Sequence, residues 1–136
     1  MGSVRQLRLV VTADDYDAAV HFYRDVLGLD EAEAVSSPGG RITILDAGRA
    51  TIELADPNHA RYIDEVEVGR RVAGHIRVAF EVDDCAVTTE ALTAAGAALV
   101  APPTRTPWDS LNARLDGPGG LHLTVFTELG AAAPDD

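Results

Sequence analysis

The chain contains no lysine: all 11 of its basic residues are arginine, set against 22 aspartates and glutamates. Without lysine there is no Schiff-base nucleophile. The resulting formal charge of −11 repels phosphate backbones and anionic bilayers, so neither nucleic acid nor membrane is an expected partner. There is one cysteine, Cys85, which excludes an internal disulfide and a cysteine-based zinc site; just inside a predicted helix, it reads as a packing residue. No apolar run approaches the ~20 residues that span a bilayer. The opening Met1-Gly2-Ser3-Val4-Arg5 lacks the basic-then-apolar pattern of a secretory leader, so a cytoplasmic location is expected.

What the chain does have is enough apolar material for one core. Its 136 residues are 46% hydrophobic, which predicts a single domain over residues 1–136. The strongest feature is an internal repeat. Gln6-Leu7-Arg8-Leu9-Val10-Val11-Thr12-Ala13-Asp14-Asp15 lies over His75-Ile76-Arg77-Val78-Ala79-Phe80-Glu81-Val82-Asp83-Asp84, an offset of 69 residues (75 − 6). Apolar positions coincide at Leu7/Ile76, Leu9/Val78, Val11/Phe80 and Ala13/Val82, and the arginine and the Asp-Asp pair are identical. A fixed period of this length marks a duplicated structural unit.

Each copy opens on a period-two strand and then an N-capped helix, the cap being Asp14 or Asp15 in the first and Asp83 or Asp84 in the second. Tyr16, Ala19, Val20, Tyr23 and Leu27 share the first helix's apolar face, and Val87, Ala91 and Leu92 that of the second; Gly28 and Gly96 supply the stops. Three short strands follow each helix: about 31–37, 41–46 and 49–55, then about 97–101, 111–115 and 121–127. Repeat one thus covers about 4–55 and repeat two about 74–127. The linker 56–73 has room for a short helical turn, and the tail 131–136 reads as frayed. The predicted class is α+β: two βαβββ repeats forming a curved mixed sheet, a cup with helices on its outer face.

Two such halves resemble the vicinal oxygen chelate superfamily, which includes glyoxalase I, bleomycin-resistance proteins and extradiol dioxygenases. The matching segments are Phe22-Tyr23-Arg24-Asp25-Val26-Leu27-Gly28-Leu29 at the first helix end, Ile52-Glu53-Leu54, Val82-Asp83-Asp84, and Gly117-Pro118-Gly119-Gly120. The resemblance implies a small-molecule ligand in the cup and a homodimer. Where members of the superfamily hold a metal, they take four ligands from inward-facing strand positions, which fall here on Arg8, Glu53, Arg77 and Thr124. Of these only Glu53 is a competent ligand, because arginine keeps its proton and repels a divalent cation. No metal or other cofactor is therefore expected. A shifted set, Gln6, Glu53, His75 and His122, stands as the alternative.

Arg8, Glu53 and Arg77 read either as an ion cluster replacing the metal or as a guanidinium fork for an anionic ligand. His75 reads as a core histidine or as a general base with Arg77 as its oxyanion partner. His21 and His59 are expected at the surface, and His122 at the rim of the cup. Trp108, the sole tryptophan, sits in a polar loop and is expected to contact ligand, with Tyr62 and Phe126 as weaker candidates for the same wall. Three functions fit these residues. One is a metal-independent protein that sequesters an antibiotic or other small aromatic molecule. Another is a glyoxalase-like lyase or isomerase, using the shifted metal set or His75 without metal. The last is a scaffold with a filled cup.

Overall fold

The computed structural model describes residues 4–130; the 131–136 tail lies outside them. The first repeat contributes β1 (Gln6–Thr12), α1 (Tyr16–Val20) continued by a π-helical segment (His21–Val26), β2 (Asp30–Ser37), β3 (Gly40–Ala47) and β4 (Ala50–Ala55). A linker helix, α2 (Pro57–Glu67), precedes the second repeat of β5 (Ile76–Glu81), α3 (Cys85–Ala94), β6 (Ala98–Arg105), β7 (Ser110–Gly117) and β8 (Leu121–Glu128). The predicted duplication is present.

The strands form one mixed sheet in the order β2-β3-β4-β1-β5-β8-β7-β6. The two halves meet where β1 pairs antiparallel with β5, Val10 opposite Arg77 and Arg8 opposite Ala79. Both repeats of one chain thus form a single open sheet. Its two edges are β2 and β6.

Side-chain alternation divides the sheet into two faces. Leu45 and Leu54 pack with Tyr16 and Val20 under α1, while Ala113, Leu115 and Val125 pack with Val82 and Cys85 under α3. Asp15 and Asp84 are the helix caps, accepting from the amides of Ala18 and Val87 at 3.1 Å each. Cys85 is buried, its thiol hydrogen-bonded to the Val125 carbonyl at 3.2 Å. Burial pushes that thiol's pKa up, in keeping with a packing role.

Three expectations need correction. Leu27 and Val87, placed on apolar helix faces, are both exposed, and Cys85 and Thr89 are the buried residues of α3. The strand expected at about 97–101 does not stop at Pro102-Pro103: β6 runs through both, with register shifts between Leu99 and Ala101 and between Ala101 and Thr104, which a terminal strand tolerates because one edge needs no amide donors. The linker forms an 11-residue helix rather than a turn. Asp56 caps it, accepting from the His59 amide at 2.8 Å, and Pro57 fills the first turn. Gly40 holds its start against β3: at φ +117, a Cβ there would stand 2.3 Å from the His59 amide nitrogen. This places α2 on the face opposite α1 and α3.

Candidate functional site

Between the sheet and α2 lies a cavity of about 620 Å³. Strand alternation supplies its floor: Arg8 from β1, Glu53 from β4, Arg77 from β5, and Thr124 and Phe126 from β8 all line it. Arg8 and Arg77 occupy equivalent places in the two repeats, and each faces the next strand out. Arg8 stands 3.5 Å from Glu53, and Arg77 donates to the Thr124 hydroxyl at 2.7 Å. The four positions picked from sequence are thereby brought together.

The two arginines differ in company. Arg8 donates to Gln6 at 2.7 Å, has Glu128 at 3.7 Å and lies over the Phe126 ring at 4.7 Å. Arg77 is part-buried, and among the described residues it has no carboxylate within ion-pair distance. Burial, then the positive charge of Arg114, pushes its pKa down, while Glu67, Glu53 and Asp64 act from farther off to hold it up. Glu53 is buried, and its Oε2 has no hydrogen-bond partner among the described residues. Burial pushes its pKa up against the pull of Arg8 and Arg77. A part-buried guanidinium without a counter-ion near a buried carboxylate that Arg8 meets only at 3.5 Å, without a hydrogen bond, is a poorly matched set of structural charges. It is a suitable recognition surface for a polar ligand.

The shifted ligand set does not assemble. Because β1 and β5 are antiparallel, one step toward the N-terminus moves in opposite directions on the two strands. Gln6 lies opposite Glu81, whereas the His75 carbonyl accepts from the Thr12 amide at the other end of β1. Six residues of strand separate them, about 20 Å. His75 is exposed and does not line the cavity, so it stands outside the site it would serve as a base. His122 is held elsewhere, 3.0 Å from both Arg114 and Asp116. Among the described residues, no group of three or more His, Cys, Asp and Glu side chains is placed to hold a metal.

At the cavity's other side, Trp108 lies on the β6–β7 turn, 42% exposed, with its ring centroid 6.5 Å from that of Tyr62. His59 is the second surprise of α2. Expected at the surface, it lines the cavity with its Nδ1 buried and unpartnered among the described residues. Burial pushes its pKa down, leaving a neutral ring at physiological pH.

A charged layer missed at the sequence level roofs one end. Arg114 of β7, with no exposed surface, binds Glu67 at 2.6 Å and Asp64 at 2.8 Å, and Asn112 donates to Glu67 at 2.7 Å. Asp64 also accepts from the amides of Val72 and Ala73 and from Arg71. Burial pushes its pKa up, but these donors and Arg114 outweigh that and bring it from an ordinary 3.8 down to about 2. A depressed carboxyl pKa stabilises the fold above the unfolded value, and that contribution vanishes as the pH falls through the folded value. The stability advantage of the wild type over Asp64→Asn should therefore shrink by about 2 kcal/mol between about pH 5 and about pH 2. Urea unfolding of both proteins reads this out, and a difference independent of pH would contradict it.

Residues 5–125 match the family model for the glyoxalase/bleomycin resistance protein/dioxygenase superfamily. The chain belongs to that superfamily. No curated protein matches it in sequence. Among solved structures, a hypothetical protein of Bacillus halodurans C-125 superposes with a TM-score of 0.66 at 17% identity, covering 97% of this chain and 98% of that one. Methylmalonyl-CoA epimerase from Mycobacterium tuberculosis gives 0.64 at 20% identity, covering 96% and 91%. The Streptomyces coelicolor epimerase bound to 2-nitronate-propionyl-CoA gives 0.62 at 20%, covering 94% and 98%. At these identities the likeness is one of fold. The four positions that the resemblance implies, Arg8, Glu53, Arg77 and Thr124, offer one carboxylate and one hydroxyl beside two guanidinium groups, a donor set that does not fit a divalent cation. Among the described residues, no helix is long and apolar enough to cross a membrane.

Proposed function

We propose that this superfamily member binds a small anionic molecule in the cavity under α2, without a metal, with Arg77 as the principal anion contact and Arg8 beside it. The observation that carries this reading is Arg77: a guanidinium anchored by Thr124 in a cavity, with no carboxylate at ion-pair distance among the described residues. A carboxylate or comparable oxyanion supplies the missing charge and matches the guanidinium fork. Tyr62 and Trp108 give an apolar wall for a planar, aromatic body. An open cavity of about 620 Å³ is the size of a small-molecule site, which favours binding over a scaffold role.

Elemental analysis of protein purified without chelator tests metal independence. Far less than one equivalent of Zn, Ni, Fe or Mn per chain is expected; a stoichiometric metal would overturn that part of the reading.

A further inference from the structure

Four buried side-chain polar atoms lack a hydrogen-bond partner among the described residues. Three of them, Thr51 Oγ1, Glu53 Oε2 and His59 Nδ1, belong to residues lining the one cavity. Buried polar atoms are nearly always satisfied, and leaving one unsatisfied costs about 1–3 kcal/mol. Three in one cavity mark a surface shaped for hydrogen bonds from something other than the protein's own side chains.

The three share one wall. Thr51 and Glu53 are two residues apart on the same face of β4, about 7 Å along the strand. His59 follows in the first turn of α2, immediately after that strand. Arg77 stands across from them. Glu53 is opposite Val10 on β1, and Val10 is opposite Arg77 on β5, which sets Glu53 and Arg77 about 10 Å apart at Cα. The cavity therefore has Arg77, without a carboxylate at ion-pair distance among the described residues, on one side and a group of acceptors on the other, where Arg8 stands 3.5 Å from Glu53 without a hydrogen bond.

We propose that Thr51, Glu53 and His59 form a donor-reading subsite that takes a hydroxyl or amino group on the same ligand whose anionic group Arg77 holds. This rests on the anion-binding reading above and narrows it to hydroxy- or amino-substituted aromatic acids. Ionised Glu53 can only accept a hydrogen bond, Thr51 can donate or accept, and a neutral imidazole nitrogen adapts to either by tautomer. A ligand donor beside Glu53 satisfies the strongest acceptor of the three. An ether or a bare ring edge leaves it with the Arg8 ion pair but no hydrogen bond, and sites built for a donor discriminate against such analogues.

Calorimetric titration with benzoate, meta-hydroxybenzoate, meta-methoxybenzoate and meta-hydroxybenzyl alcohol tests the subsite. The wild type should bind meta-hydroxybenzoate about tenfold or more tightly than benzoate or the methoxy compound. Glu53→Ala should abolish that preference, and Thr51→Val should reduce it. Equal wild-type affinity for the three acids would overturn the subsite, as would a preference that survives in both variants. If meta-hydroxybenzyl alcohol binds as tightly as meta-hydroxybenzoate, the anion reading fails while the donor preference stays measurable. Absence of binding by all four at millimolar concentration would overturn both.

Discussion

Replacing Arg114 by leucine is expected to destabilise the fold by about 3–5 kcal/mol, the usual loss when one partner of a buried ion network is removed. Arg114 has no exposed surface and bridges Asp64 and Glu67 of α2 to the sheet. Without it, Asp64 keeps Arg71 and two backbone amides, but among the described residues Glu67 keeps only the hydrogen bond from Asn112. A buried carboxylate with a single neutral donor is the main source of the loss. Adding Glu67→Leu to Arg114→Leu should recover part of it, because the second change removes the orphaned charge. Urea unfolding at neutral pH measures both steps. A loss below about 1 kcal/mol for the single variant would show that the layer contributes little.

Arg77→Ala is expected to weaken benzoate binding about 10–150-fold, the equivalent of losing one charge-assisted contact of about 1.5–3 kcal/mol. His21→Ala should leave it unchanged, since His21 is exposed on the helix face and pairs only with Asp25 among the described residues. Arg77→Lys should fall between the wild type and the alanine variant. It restores the charge but not the planar fork that meets a carboxylate with two parallel bonds. Equal affinities for Arg77→Ala and His21→Ala would place the anion elsewhere.

The architecture was legible because a duplication writes the same pattern twice. The strand alternation, the capping aspartates and the glycine stops are local signals, and each repeat vouches for the other. Most of the cavity floor followed, since Arg8 and Arg77 coincide in the repeat. The direction in which the repeats meet did not follow. Nothing in either strand alone says that β1 and β5 run antiparallel, and that pairing separates Gln6 from His75.

The roof was hidden for a different reason. Ser110, Asn112 and Arg114 alternate with Leu111, Ala113 and Leu115, which reads as a strand with one wet face. Asp64 and Glu67 likewise read as the solvent side of a polar linker. The two polar faces cover each other, and a pairing between segments nearly fifty residues apart leaves no periodic trace. His59 was misplaced with them, because its burial depends on α2 crossing the cavity. Asp56-Pro57, an N-cap followed by a first-turn proline, was the available sign that the linker begins a helix.

The most direct measurement is a calorimetric titration of benzoate into the purified protein before and after exhaustive treatment with a chelator. Binding with the same affinity and stoichiometry in both samples is the expected result, because the proposed site draws its positive charge from Arg8 and Arg77. Binding that disappears on chelation and returns with added divalent metal would contradict it.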